Sequence, residues 1–327
     1  MAAAQRPAIY AGGGAWFSGA ETALVTFAET TGIPVFMNAK ARGMVPAAHP
    51  LCGGGFTSLA MAPMIGADST DCLLVLGGRL GLFTGGRSDA MIPADATLMQ
   101  VDIEAEEIGR NRDIDIGVAA DCRETLRLLE AAALECDWPD WSGWQETVAM
   151  LGQGASVLFG EALAATEAPI HPYRLAHEIA AALPPNAVFT VEGGETATWM
   201  AMAGTPQSGG RWLSHGYLGC LGTGMPFAIA AQVAHPNRPV VCVVGDGSVG
   251  LNFSEFNTMV RHELPIVTII NNDQLWGMSA HGQDLIYGEN QRVVSELGAT
   301  RYDLAAAGFG CHAEYVEDPA EIGPAIE

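Results

Sequence analysis

Short apolar runs alternate with amphipathic stretches along most of this 327-residue chain. The apolar runs are rich in Val, Ile and Leu, and they predict β-strands at 7–13, 34–37, 71–77, 97–102, 187–191, 240–244, 266–270 and 313–316. Helical periodicity lies between them and predicts helices at 18–32, 123–134, 173–183, 227–233, 253–262 and 302–307. Alternating strands and helices imply parallel sheets covered on both faces, so the predicted fold class is α/β, with two doubly wound parallel-sheet domains.

Several helix ends are marked by capping residues. Ser18, followed three residues later by Glu21, predicts a capping box, and Gly32 predicts a left-handed end to the same helix. Asp318, followed by proline, predicts another helix start close to the last residue, Glu327. We therefore expect the second domain to be truncated at its C-terminus.

The alternation breaks at residues 136–170. Trp138, Trp141 and Trp144 are spaced three apart in this segment, and such a cluster of tryptophans is more typical of packing at an interface than of a ligand platform. The pattern predicts a central Rossmann-like domain at 1–135, a linker at 136–170 and a second domain at 171–327.

Charge and cysteine usage exclude some classes of function. The formal net charge of −22 argues against a nucleic-acid partner, because phosphate backbones are bound by clustered Lys and Arg. No apolar run reaches the length of a membrane span, so no membrane partner is expected. The seven cysteines are dispersed and form no Cys-x-x-Cys pair, which is typical of a reducing compartment. We expect a cytoplasmic protein.

A glycine turn, Gly12-Gly13-Gly14, follows the first predicted strand. Its spacing differs from Gly-x-Gly-x-x-Gly, and Asn38 stands where a dinucleotide-binding domain has an acidic residue. A structural turn is favoured, and a site for a nucleotide, FAD or CoA in this domain stays open.

Polar residues stand at the carboxyl ends of two later strands. The run from Val240 ends in Gly245-Asp246-Gly247-Ser248, and the run from Ile266 ends in Asn271-Asn272-Asp273. In an open parallel sheet both ends fall at the same edge, where ligands bind. Carboxylate and amide oxygens suit Mg²⁺, while glycine N–H groups before a helix suit phosphate. The spacing predicts a site for a divalent cation and a diphosphate.

With these two motifs the sequence resembles the thiamine-diphosphate-dependent enzymes of the acetolactate synthase and benzaldehyde lyase group. The family's motif is Gly-Asp-Gly followed, after a strand, helix and strand, by Asn-Asn, and it is specific. The resemblance extends over essentially the whole chain and includes the stretch 101–109. It implies that residues 1–135 form the family's central domain and that 171–327 form its diphosphate-binding domain.

The resemblance implies roles for individual residues. Asp246 would bind Mg²⁺, and Gly247 and Ser248 would bind the diphosphate of thiamine diphosphate. The carbonyl of Gly219 would accept from the aminopyrimidine amino group. The bulky side chain of Leu221 would bend the cofactor into its V conformation.

Further residues would surround the cofactor. Trp276, Gly277 and Met278 would line the cofactor and the substrate. His281 and Gln283 are candidate polar groups on the substrate side.

The second metal ligand depends on the register of the second motif. Counted from Trp276, the family's second Asn falls at Asp273, and the third ligand is then the Leu275 backbone carbonyl. If the Asn-Asn pair itself sets the register, Asn272 and the Gln274 carbonyl serve instead. We favour Asp273, since a carboxylate is at least as good a ligand for Mg²⁺.

In the resembled family another α/β domain usually precedes the central one, binds the aminopyrimidine ring and carries the glutamate that protonates it. Glu192 and Glu195 lie in the diphosphate domain and cannot take that role. This chain is therefore expected to hold half of an active site. An aminopyrimidine-binding domain from another chain, or from a missing N-terminal segment, would complete it in a homo- or hetero-oligomer.

The resemblance implies a thiamine-diphosphate- and Mg²⁺-dependent carbon–carbon lyase or carboligase. Its small-molecule substrates would be 2-oxo acids, 2-hydroxy ketones or aldehydes, and the reaction would pass through a carbanion of the cofactor. A 2-hydroxyacyl-CoA lyase, a cofactor-binding but catalytically incomplete subunit, and an unrelated nucleotide-binding protein remain alternatives.

Overall fold

The computed structural model describes residues 1–204, 208–288 and 291–326 and divides into two compact units. The first comprises Met1–Leu158 and the described part of Thr205–Arg211. The second comprises Phe159–Gly204 and the described part of Trp212–Glu327. Each unit contains one parallel sheet flanked by helices, which confirms the predicted α/β class. The linker boundaries at 135 and 170 stay predictions.

The first unit is built on a six-stranded parallel sheet of order β3-β2-β1-β4-β5-β6. Its strands are β1 (Pro7–Ala11), β2 (Val35–Met37), β3 (Cys52–Gly55), β4 (Cys72–Leu76), β5 (Thr97–Asp102) and β6 (Ile116–Ala119). The helices that accompany it in the chain are α1 (Gly13–Phe17), α2 (Glu21–Thr31), α3 (Cys122–Ala133), α4 (Ser142–Gly152) and α5 (Gly154–Phe159). All residues of β1, β2 and β4 are buried, as their unbroken apolar runs predict.

The second unit is built on a four-stranded parallel sheet of order β10-β9-β7-β8. Its strands are β7 (Val188–Val191), β8 (Trp212–Ser214), β9 (Val240–Gly245) and β10 (Ile266–Asn271). Its helices are α6 (Pro172–Ala182), α7 (Gly194–Ala203), α8 (Gly224–Ala234), α9 (Asp246–Val249), α10 (Glu255–Arg261), α11 (Gly277–Tyr287), α12 (Tyr302–Ala307) and α13 (Ile322–Ile326). The strand order reverses between β7 and β9, which is where a doubly wound sheet opens a crevice for ligands.

The helix start predicted at Ser18 is wrong. Helix α2 begins at Glu21 with Ala20 at its N-cap, and Ser18 instead ends α1, where its hydroxyl donates to the carbonyl of Ala15 at 3.0 Å. The other end is confirmed, because Gly32 adopts the left-handed conformation with φ of 70°. The sequence did not predict the short helix α1 after the glycine turn. Ser18 ends this helix and therefore does not cap α2.

The tryptophans of segment 136–170 pack inside the first unit and not at an interface. Trp141 and Trp144 are each 5% exposed and belong to its core. Their indole N–H groups donate to the carbonyls of Ala4 and Pro7 at 3.2 and 2.8 Å. Helix α4, which follows the linker start, thereby ties the segment to β1.

The glycines of the first turn are explained by a close approach of backbones. A Cβ on Gly12 would lie 2.3 Å from the carbonyl oxygen of Gly77, and one on Gly14 would lie 2.7 Å from the Gly77 Cα. The turn is therefore needed for packing between the ends of β1 and β4.

Three strands and one non-strand segment differ from the prediction. Strands β3, β6 and β8 were not predicted, because each is short or rich in glycine. Residues 313–316 form no strand, although their apolar positions predict one. In the described part of the chain no single helix is long and apolar enough to cross a membrane, although the bent pair Ser142–Gly152 and Gly154–Ala164 together has sufficient length and apolar character.

Candidate functional site

Three strand ends of the second unit converge at the reversal of strand order. Strand β9 pairs with β7 on one side and β10 on the other, and Asn271 lies in register with Gly245. A Cβ on Gly193, just beyond β7, would lie 3.3 Å from the backbone nitrogen of Gly245. The residues that follow each strand therefore share one crevice, as the sequence predicts.

Asp246 occupies the centre of this crevice. Its side chain is 3% exposed, and its Oδ1 accepts from the N–H of Gly247 at 2.8 Å. Its Oδ2 is buried and has no hydrogen-bond partner among the described residues. Burial, together with repulsion from the nearby carboxylate of Asp273, raises the pKa of Asp246 to about 6. A buried, unsatisfied carboxylate beside a second one is costly unless a cation joins them.

The two candidate ligands of the second motif, Asn272 and Asp273, have different surroundings. Asn272 donates through its amide nitrogen to the carbonyl of Thr300 at 3.2 Å, a contact that orients its side chain toward Thr300. Asp273 faces Asp246 and holds the N–H of Leu275 at 3.1 Å through its Oδ1. The side chain that faces Asp246 is therefore that of Asp273.

The backbone carbonyls follow the same register. Leu275 forms an antiparallel bridge with Glu296. The hydrogen bonds of this bridge use the carbonyl of Gln274 and the N–H of Trp276, each at 2.8 Å. These bonds leave the Leu275 carbonyl outside the ladder. Gln274 has a φ of 62°, which is uncommon for a residue other than glycine and turns the chain between the two candidate ligands.

The donor set fits a magnesium ion that also binds a diphosphate. Two carboxylates and a backbone carbonyl would offer it oxygen ligands, and Mg²⁺ commonly takes its remaining ligands from water and substrate phosphate. Within the described ranges no cluster of three or more His, Cys, Asp and Glu side chains could hold a metal by itself. The side-chain oxygen of Asn271, which belongs to the polar run expected to supply oxygen ligands, is also buried without a partner among the described residues.

The turn that carries the diphosphate residues differs from the expected helix start. Residues Asp246–Val249 form one helical turn, and the longer helix α10 begins at Glu255 and not at 253. The hydroxyl of Ser248 donates to the carbonyl of Gly245 at 3.0 Å. A Cβ on Gly247 would lie 2.7 Å from the indole ring of Trp276, so only glycine fits beneath that ring. The turn thus offers backbone N–H groups and the Trp276 face, without the dipole of a long helix.

The glycine-rich loop before α8 holds Gly219 and Leu221. Gly219 has a φ of 63°, and a Cβ there would meet nothing within 4 Å, so its surroundings are open. Leu221 is 37% exposed. This exposure argues against a role for Leu221 as a core residue alone.

The buried carboxylate of Glu192 accepts hydrogen bonds from the backbone of this loop. Glu192 is 1% exposed, and it accepts hydrogen bonds from the N–H groups of Gly222 and Gly224. Burial raises its pKa, and the N–H groups of Gly224, Gly222 and Thr223 oppose that change. The side-chain amide of Asn252 donates to the carbonyl of Gly222.

The start of α11 lies beside the metal candidates. A Cβ on Gly277 would lie 2.7 Å from Oδ2 of Asp273 and 2.9 Å from Oε2 of Glu195. Met278 is 55% exposed and contacts Gly194. His281 lies 2.6 Å from Oε1 of Glu195. The structure brings these residues together around one crowded helix start.

An open cavity of about 840 Å³ lies along α11. It is lined by Met278, Ser279, Gly282, Gln283, Ile286, Tyr287, Gln291 and Val293. Gln283 holds the N–H of Val293 at 2.6 Å, which uses its carbonyl oxygen. The two residues predicted for the substrate side differ, because His281 is paired with Glu195 and Gln283 lines this cavity.

Two site residues escaped prediction. Glu192 and Asn252 hold the loop through backbone groups about 30 residues away in sequence. Backbone donors and acceptors have no residue signature, and only the position of Glu192 at a strand end could have pointed to it.

Two family models match the chain. The model described as thiamine pyrophosphate enzyme, central domain, matches residues 1–129. The model described as thiamine pyrophosphate enzyme, C-terminal TPP binding domain, matches residues 192–327, which contain the crevice. The chain belongs to the thiamine pyrophosphate enzymes. This family, whose cofactor is also called thiamine diphosphate, is the one that the sequence resembles, and the expectation is confirmed.

Several curated relatives have similar sequences over the whole chain. A protein of Mycobacterium bovis named probable acetolactate synthase is 35% identical over 334 residues, which cover 100% of this chain and 57% of the relative. Isozyme 1 large subunit of acetolactate synthase from Escherichia coli is 32% identical over 319 residues, which cover 94% of this chain and 53% of the relative. The chain thus spans little more than half the length of these relatives.

Proposed function

We propose that this chain provides the diphosphate- and Mg²⁺-binding half of a thiamine-diphosphate-dependent active site. The observation that carries the proposal is the buried Asp246, whose Oδ2 has no hydrogen-bond partner among the described residues and which is repelled by the neighbouring carboxylate of Asp273. A divalent cation would remove both costs at once, since it supplies the missing charge and takes oxygen ligands.

The residues around the crevice would share the cofactor between them. Asp246, Asp273 and the Leu275 carbonyl would hold Mg²⁺, and Asn272, which is bonded to Thr300, would not. Gly247 and Ser248 would face the diphosphate.

The rest of the cofactor would lie against the loop and α11. Gly219 and Leu221 would contact the thiamine portion, and Trp276, Gly277 and Met278 would line the site. Bound thiamine diphosphate supplies a carbanion that makes or breaks a bond next to a carbonyl group.

We propose acetolactate synthase-like carboligation of 2-oxo acids ahead of benzaldehyde lyase-like chemistry. The support is that the relatives named here are acetolactate synthases. A domain that binds the aminopyrimidine ring would have to join these two units, and we propose that it does so in an oligomer. The seven free cysteines support a location in the reducing cytoplasm.

Calorimetric titration tests this proposal directly. Thiamine diphosphate should bind with Mg²⁺ present, and chelation of the metal should weaken binding by about tenfold or more. Adenosine diphosphate with Mg²⁺ is the matched control, because it has the same diphosphate without the thiamine. Binding of both compounds with equal affinity would favour a nucleotide-binding protein, and binding of neither would contradict the proposal.

An activity assay then separates an enzyme from a binding subunit. The chain is combined with the aminopyrimidine-binding domain of an acetolactate synthase and given pyruvate. Formation of acetolactate supports the carboligase, and cofactor binding without turnover would show a subunit that binds but does not catalyse.

A further inference from the structure

Side-chain hydrogen bonds attach the C-terminal side of the loop that carries Gly219 and Leu221 to the second sheet. Glu192 follows β7, and its own N–H donates to the carbonyl of Val243 in β9 at 2.9 Å. Its two carboxylate oxygens bind the N–H groups of Gly222 and Gly224. The residue immediately before these donors is Leu221. One carboxylate, fixed to the central strands, therefore sets where the chain turns next to that leucine.

Glu192 also completes a helix that does not cap itself. Helix α8 begins at Gly224, and Thr223 at its N-cap makes no side-chain capping bond. The first N–H groups of a helix need acceptors, and a negative charge is favoured at that end. Glu192 meets both needs from another strand. A Cβ on Gly224 would lie 2.6 Å from Oε2 of Glu192, so the close contact also requires glycine there.

A second tie acts on the same turn. Gly222 has a φ of 86°, and a Cβ on it would lie 3.0 Å from the Asn252 amide, which donates to the Gly222 carbonyl. Asn252 lies three residues beyond α9, the turn that carries Asp246. Two segments thus hold the loop in position: Glu192 after β7, and Asn252 in the segment that follows the metal-ligand candidate Asp246.

From these contacts we propose that Glu192 is a positioning residue that holds Leu221 and Gly219 in place for the thiamine portion of the cofactor. Glu192 itself would touch neither the metal nor the diphosphate, because both of its carboxylate oxygens accept from backbone N–H groups of the loop. This inference rests on the proposed function and adds to it a division of labour. Asp246 and Asp273 would recognise Mg²⁺ and the diphosphate, whereas Glu192 would act on recognition of the thiamine portion of the cofactor.

The test compares two ligands on one set of variants. Affinities for thiamine diphosphate and for inorganic diphosphate, each with Mg²⁺, are measured for the wild type, Glu192→Gln and Glu192→Ala. We expect Glu192→Ala to lower the affinity for thiamine diphosphate by about tenfold or more and the affinity for inorganic diphosphate by less than about threefold. Glu192→Gln keeps the shape and one acceptor, so it should recover part of the loss.

Thr190→Val is the matched control. The hydroxyl of Thr190 is buried and donates to the carbonyl of Gly224 at 3.1 Å, so its removal loosens the start of α8 without releasing Gly222. This variant should bind both ligands like the wild type. If Thr190→Val reproduced the selective loss, general loosening of α8 would explain the effect and the positioning role would be overturned.

Amide hydrogen exchange without any ligand separates this inference from the proposed function. In Glu192→Gln the peptide containing 220–224 should exchange faster, whereas the peptide containing 240–245 should not change. Unchanged exchange at 220–224, or an equal loss of both ligands in the Glu192 variants, would overturn the inference. Binding of neither ligand by the wild type would overturn the proposed function, and the exchange result would then show whether Glu192 still holds the loop.

Discussion

Glu192 and Asp246 are buried carboxylates at the ends of neighbouring parallel strands, and the chain treats them differently. Glu192, after β7, is 1% exposed and binds backbone N–H groups with both oxygens. Asp246, after β9, is 3% exposed, has one oxygen without a hydrogen-bond partner in the described part of the chain, and faces Asp273. Backbone N–H groups satisfy both oxygens of Glu192. Asp246 retains an oxygen that a bound cation could use.

The difference separates structural from ligand-binding carboxylates at one sheet edge. Burial costs a charged group several kcal/mol unless it is paired, so each such group must be explained. Backbone donors account for Glu192. For Asp246 a divalent cation is the simplest explanation, since the neighbouring carboxylate of Asp273 adds a second negative charge. The following predictions test the contrast, beginning with the largest expected effect.

Removal of the Glu192 carboxylate should destabilise the ligand-free protein. Glu192→Ala leaves the N–H groups of Gly222 and Gly224 buried without acceptors, which should cost on the order of 3 kcal/mol of unfolding free energy. Chemical denaturation monitored by circular dichroism measures the change. A loss below about 0.5 kcal/mol would mean that water replaces the carboxylate and that the contrast with Asp246 is false.

Neutralising Asp246 should weaken cofactor binding without destabilising the ligand-free protein. Asp246→Asn should weaken thiamine diphosphate binding in Mg²⁺ by about a hundredfold, or about 2.7 kcal/mol, because one metal ligand and its charge are lost. The ligand-free variant should be at least as stable as the wild type, since repulsion with Asp273 disappears. Titration calorimetry and denaturation give the two values. A variant that is less stable yet binds the cofactor normally would make Asp246 the structural residue.

The stability of the ligand-free protein should fall as the pH rises from about 4 to about 7. The pKa of Asp246 is raised from 3.8 to about 6, so the folded state holds this proton more tightly than the unfolded state does. Its contribution is therefore complete below the unfolded pKa and lost as the pH passes the folded value, a loss on the order of 2 kcal/mol. The raised pKa of Glu192 acts in the same direction.

The share of Asp246 is isolated by variants and ligands. Asp246→Asn should flatten the pH dependence, and saturating Mg²⁺ with thiamine diphosphate should do the same in the wild type. Denaturation midpoints across this pH range measure both effects. An identical pH dependence in wild type and variant would assign the whole effect to other carboxylates.

The smallest effect should distinguish the two registers of the second motif. Asp273→Asn should weaken Mg²⁺-dependent cofactor binding by about tenfold, or about 1.4 kcal/mol. Asn272→Ala should change it by less than about threefold, because the Asn272 amide is bonded to Thr300. The reverse order of effects would mean that the Asn-Asn pair sets the register.

The sequence predicted the strands whose apolar runs are unbroken and the edge at which their ends meet. Strands β1, β2, β4, β7 and β9 are buried on both faces, so their composition identifies them. It could not predict β8, because three residues hold no periodic pattern, or β3, which contains three glycines. The predicted strand at 313–316 fails since its alternation does not guarantee a partner.

Within the site, residue types revealed the groups that act through side chains and concealed those that act on backbone. The positions after apolar runs predicted Asp246 and the run Asn271-Asn272-Asp273, and the register of the resembled family favoured Asp273 within that run. The role of Glu192 depends on N–H groups of Gly222 and Gly224, which any residue could provide, and so only the folded arrangement shows it.

The most direct test is an anomalous diffraction map of the protein crystallised with thiamine diphosphate and Mn²⁺ in place of Mg²⁺. A single strong peak should lie between the carboxylates of Asp246 and Asp273 and against the Leu275 carbonyl, with the Glu192 carboxylate still on Gly222 and Gly224. A peak coordinated by Asn272 would contradict the assigned register. A bound cofactor with no peak beside Asp246 would contradict the central claim that this unpaired carboxylate is a metal ligand.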